Sequence, residues 1–188
     1  MKKFVILIFS LFFVFAFAGC SGSETVLKSD EYNIYQNRKL IAEVTEQKGM
    51  YYFDTDVKSI LSKYEGITFS TKRGISIGSS IEDVYRKYKG ISCIIYGGRP
   101  QKIISYDDLL NNDNAPERYS INFGTKIING KMYDLLTPDK DIAKDLGIDL
   151  MDWLKIRFHG SEDYIVETFE MQIRFENNKV RDITIIYM

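Results

Sequence analysis

The end of the chain constrains the fold most. Residues 168–175 alternate strictly, so an extended strand there puts Phe169, Met171, Ile173 and Phe175 on one face. A second strand-like run, residues 180–187, follows after Glu176, Asn177, Asn178 and Lys179. Two such runs joined by so short a polar link predict a C-terminal β-hairpin. The rest of the chain must supply the strands and helices that cover its apolar face.

Upstream, two segments have helical periodicity. Val57, Ile60, Leu61 and Tyr64 fall at i, i+3, i+4 and i+7, after Asp54, Thr55 and Asp56 as candidate caps and before Gly66. Ile81, Val84, Tyr85 and Tyr88 repeat the spacing. Ser79 or Ser80 caps this second helix, Glu82 and Asp83 occupy its first turn, and Arg86, Lys87 and Lys89 lie at its end before Gly90. Lys63 to Thr68 and Lys87 to Ser92 align at an offset of 24 residues, as a duplicated unit or by coincidence of composition. Strands are predicted over 67–72, 91–96 and 119–123, with turns at Gly97, Gly98, Arg99 and Pro100. A hairpin is predicted at Asn129-Gly130. Residues 140–146 read as a short helix, and residues 150–156, with Trp153, as helix or strand. Residues 105–118 read as a loop after a helical turn. The aromatic clusters Tyr32/Tyr35 and Tyr51/Tyr52/Phe53 suit core or edge-strand packing, or a recognition surface. The expected architecture is α+β: an antiparallel sheet with two short helices packed on one face and a C-terminal β-hairpin. One domain is expected over 31–188, with an irregular insertion around 97–160.

The first residues carry an address. Lys2 and Lys3 precede an apolar stretch, residues 4–18, interrupted only by Ser10. As a helix it spans about 22 Å, short of the ~30 Å hydrocarbon core, which suits a signal peptide rather than a transmembrane span. Ala18, Gly19 and Cys20 then resemble the lipobox of bacterial lipoproteins, with Phe17 where that family has Leu. The resemblance implies cleavage after residue 19, a lipid on Cys20, a tether over 20–30, and a domain anchored to a bacterial membrane facing outside the cytoplasm. Cys93 would then be the only free thiol; it sits in an apolar run and reads as a small hydrophobe. From Cys20 onward, 23 Lys and Arg stand against 26 Asp and Glu, a formal net charge of −3. That balance gives no electrostatic footprint for nucleic acid.

Residues 71–88, running from Thr71-Lys72-Arg73-Gly74 through Ile75, Ile77, Gly78 and Ser79 to Tyr88, resemble a pattern of small bacterial lipoproteins. Similar patterns occur in the small lipoprotein of the outer-membrane β-barrel assembly machinery and in the β-lactamase-inhibitor-protein-like fold. The family's final Gly comes one residue late here, at Gly90 after Lys89. The resemblance implies two helices on an antiparallel sheet and, through it, a module that docks other envelope proteins.

Chemistry is sparsely marked. The chain has no Ser-x-x-Lys and no phosphate-binding loop. His159 is the only histidine and reads as a residue at a strand end or turn. The acidic pairs Asp54/Asp56, Asp107/Asp108 and Asp139/Asp141 lack calcium-loop spacing. Asn111, Asn112, Asp113 and Asn114 read as a solvated turn, and Gly97, Gly98 and Arg99 as a β-turn that is also able to hold an anion. No catalytic, cofactor or metal residue is assigned. The expectation is a non-enzymatic interaction module of the cell envelope, bound to the membrane through Cys20 and to an envelope protein. The alternatives are a carboxylate-based hydrolase and an inhibitor of an envelope enzyme.

Overall fold

The computed structural model describes residues 25–46, 48–53, 68–98, 102–111 and 116–188. The leader, Cys20, the helix expected at Val57–Tyr64 and the first copy of the 24-residue repeat lie outside the described residues. The elements, in chain order, are β1 (Ile34–Gln36), β2 (Lys39–Ala42), β3 (Gly49–Tyr52), α1 (Ile81–Tyr88), β4 (Ile94–Gly97), β5 (Lys102–Ile103) and α2 (Tyr106–Asn111). They continue with β6 (Arg118–Ile128), β7 (Lys131–Asp134), α3 (Asp139–Leu146), α4 (Leu150–His159), β8 (Val166–Glu176) and β9 (Lys179–Tyr187). The fold is α+β, and its larger sheet is antiparallel, in the order β3-β9-β8-β6-β4-β5. β7 also pairs with β6: β4 takes positions 119–122 and β7 positions 125–128 of the same edge.

The C-terminal hairpin is β8–β9. Asn177 and Asn178 turn with φ of 52° and 60°, left-handed values that Asn tolerates better than most residues. Register then stacks the apolar face across four strands: Phe123, Met171, Ile185 and Tyr51 lie side by side, as do Ile121, Ile173 and Ile183. Helix α1 lays Ile81, Val84 and Tyr88 into the same core. Its cap is Ser80, whose Oγ accepts from the Asp83 N–H at 3.2 Å. Tyr32 is fully buried, stacked on Phe169 and hydrogen-bonded to Thr125 at 2.9 Å. Tyr51 and Phe53 are buried too, so these aromatics are core.

Two expectations need correction. Residues 68–72 do not extend as a strand; they contribute one bridge, Tyr35 to Ser70. Thr71 is occupied by a turn instead: its N–H donates to the Ile75 carbonyl, its carbonyl accepts from Gly74, and its Oγ1 accepts from Tyr88 at 2.9 Å. Nor is 97–160 an irregular insertion. It contains β6, which lies between β8 and β4 within the sheet, together with α3 and α4.

Helices α3 and α4 build a second apolar cluster of Ile142, Ala143 and Trp153 with Ile128 and Tyr133. On β6 the core-facing residues are odd-numbered, so alternation puts Ile128 on the opposite face of the sheet, beside Val166. The helix pair therefore covers one end of the sheet's second face. Trp153 fixes it in place, donating from Nε1 to Asp139 Oδ1 at 2.9 Å.

Candidate functional site

The second face of the sheet carries the polar half of each alternating strand. Ser120, Asn122 and Lys126 stand on β6; Thr168, Glu170, Gln172 and Arg174 on β8; Asp182 and Thr184 on β9. A concave groove lies at each end of this face.

The first groove, of about 430 Å³, lies where β4, β6, β8 and β9 meet, and Arg118, Arg174 and Arg181 line it. Arg174 donates to Asp182 at 2.9 Å, and Arg118 donates from Nε to Glu176 at 2.8 Å. Arg181 is different. A register shift pairs Arg174 with Asp182 but Phe175 with Val180, leaving Arg181 as the extra residue of a β-bulge. It is exposed, and no ion pair holds it among the described residues. Gly97 and Gly98 lie at the mouth of this groove, so the turn considered as an anion holder borders a cationic surface. Arg99 lies outside the described residues.

The second groove, of about 450 Å³, lies between α4 and the sheet. Lys126, Thr168 and Glu170 enter it from the strands, Ile156 and Arg157 from the helix, with Trp153 buried beneath. Lys126 is only 8% exposed, yet it makes no hydrogen bond or ion pair with a described residue. Its neighbours across the sheet, Thr168 and Tyr133, carry no charge. Burial pushes its amine below the ordinary value of 10.5, and the Arg157 guanidinium adds to this; the charges of Asp139, Asp134 and Glu170 oppose it. Asp139 is already engaged by Arg157 and Trp153.

Space for the groove depends on Gly124, which faces the same side as Lys126. A Cβ there would meet the Leu135 Cδ2 at 2.5 Å, so glycine lets Leu135 lie flat against the strand as part of the groove wall.

The residues singled out in the sequence are not gathered here. Cys93 lies just before β4, half-buried against the core; burial pushes its thiol up, and the neighbouring Tyr106 hydroxyl only partly offsets this. Such a thiol is a poor nucleophile. His159 is at neither a strand end nor a turn: it is the exposed last residue of α4. Asp139 and Asp141 open α3, and Asp107 lies on α2. Asp54, Asp56 and Asp113 lie outside the described residues. No group of three His, Cys, Asp or Glu suited to a metal ion occurs among the described residues. Nothing in the sequence marks Lys126 except that this cation shares strand parity with the apolar Ile128. Comparisons with protein-family models, with curated proteins and with solved structures each return no match.

Proposed function

We propose that the chain is a non-enzymatic binding module of a bacterial cell envelope, held outside the cytoplasm by a lipid on Cys20 and engaging an envelope protein through the second face of its sheet. The observation that carries this reading is that face. Asn122, Glu170, Gln172 and Arg174 stand half-exposed between two grooves, and a bulge adds the unpaired Arg181 at one end. Rigid strands hold these groups in fixed positions, so a partner meets them without ordering cost. The leader and Cys20 supply the address, and the near-neutral charge leaves the lipid as the main membrane attachment.

The test is crosslinking in intact cells, comparing wild type with Arg181→Glu/Gln172→Glu and with Cys20→Ala. Both surface positions are outside the apolar core, so the double variant keeps the fold. The expected result is one dominant envelope protein captured by wild type and lost in the double variant, with Cys20→Ala leaving the membrane fraction. Equal capture by wild type and the double variant overturns the assignment of the face. Full retention of Cys20→Ala in the membrane overturns the lipid.

A further inference from the structure

We propose that the groove between α4 and the sheet is a binding site for a small monocarboxylate carried on a short apolar body, with Lys126 as the group that receives the carboxylate. Lys126 is 8% exposed and makes no ion pair or hydrogen bond with a described residue, and what remains accessible of it opens into this groove. Charged lysines inside proteins are ordinarily paired. Glu170, on the adjacent strand, lines the same groove but forms no ion pair with Lys126. Asp139, on the helix side, already holds Arg157 and the Trp153 indole. Thr168, opposite Lys126 on β8, is neutral.

The walls define the rest of the ligand. Leu135, Ile156, Val166 and Tyr164 present apolar surface around the amine, and about 450 Å³ is within the ~300–1,000 Å³ range of small-molecule sites. Glu170, half-buried on the adjacent strand and outside ion-pair distance of Lys126, sets the charge limit. One negative charge on the ligand meets Lys126; a second would face Glu170. A ligand with one carboxylate and an aliphatic or aromatic body meets Lys126 and the apolar walls and puts no second charge against Glu170. The site lies at the opposite end of the face from Arg181 and does not require the tether.

Trp153 is the only tryptophan in the chain and lines this groove, so its fluorescence reports on the site directly. The full chain in phosphatidylcholine vesicles is titrated with hexanoate and with hexanamide, its neutral counterpart of nearly equal size. The expected result is a saturable change in Trp153 emission, with hexanoate binding about tenfold more tightly than hexanamide. Lys126→Met abolishes that preference while keeping the native circular dichroism spectrum, and Lys126→Arg, which retains the charge, keeps part of it. No saturable response, equal binding of the two probes by wild type, or an undiminished preference in Lys126→Met each overturns the proposal. These readouts are independent of the crosslinking result, so failure of one assignment leaves the other standing.

Discussion

Replacing Lys126 with Met should make the protein more stable at neutral pH. The side chain is 8% exposed, so nearly all of its stem already packs in the protein, and Met fills similar space without the ammonium group. What the substitution removes is a partly desolvated charge without an ion pair among the described residues. Replacing buried charges by apolar groups of similar volume stabilises proteins by about 1–4 kcal/mol. The groove is open on one side and admits water, so the low end applies, about 1–2 kcal/mol. For a domain of this size each kcal/mol moves the melting temperature by roughly 2–4 °C, so the expected gain is about 2–8 °C at pH 7, read by circular dichroism melting. The pH dependence identifies the cause. The folded-state pKa of Lys126 lies below its ordinary 10.5, through burial and then Arg157. Below the folded value both states carry the charge, and the folded state bears the full penalty. Between the folded value and 10.5 the unfolded chain binds more protons, so wild-type stability rises with pH relative to the variant. The advantage of Lys126→Met should therefore shrink as pH climbs toward 10.5. A variant that melts below wild type at pH 7, or a difference independent of pH, would refute the argument and make Lys126 a structural strut.

Two other substitutions probe the same face. Gly124→Ala should cost about 1–3 kcal/mol in urea unfolding, because its methyl would also meet the Leu135 Cβ at 2.7 Å, and the Leu135 N–H bond to the Gly124 carbonyl at 3.1 Å prevents that residue from backing away. Thr184→Val should raise stability by about 1 kcal/mol in the same assay, since the Thr184 hydroxyl is fully buried with no hydrogen-bond partner among the described residues and Val keeps its shape; a loss of stability would mean that the hydroxyl is solvated in solution.

The parts of the fold legible in the sequence are those where one physical signal acts alone. The alternation of Phe169, Met171, Ile173 and Phe175 admits one strand with one buried face, and Asn177 and Asn178 suit the tight turn it needs. Helix α1 is legible because its apolar stripe, acidic first turn and Ser80 cap agree. Helix α4 is ambiguous for the opposite reason. Apolar residues surround it: Trp153 is fully buried, while Met151 and Phe158 on the same helix are 61% and 69% exposed. With no stripe, periodicity has nothing to detect. Residues 68–72 mislead because alternation describes a strand and a turn equally well when the hydroxyl of Thr71 is needed elsewhere.

Lys126 shows where reading by strand period stops. Alternation along β6 assigns it to the face opposite Ile121 and Phe123, and a lysine on that face of a two-layer α+β protein would ordinarily be solvated. It is buried because Leu135, just after β7, and helix α4 lie over that end of the sheet. The loop before β8 is itself tied down, with Asn129 accepting from the Ile165 N–H at 2.9 Å and donating to the Asp163 carbonyl at 3.2 Å. These contacts join residues more than 30 positions apart, and no local pattern announces them. The same closure covers most of the Lys126 side chain and leaves room beside its amine for a ligand. A mostly covered cation without an ion pair among the described residues, beside a groove with room for a ligand, is the arrangement expected where binding, not folding, is what the residue serves.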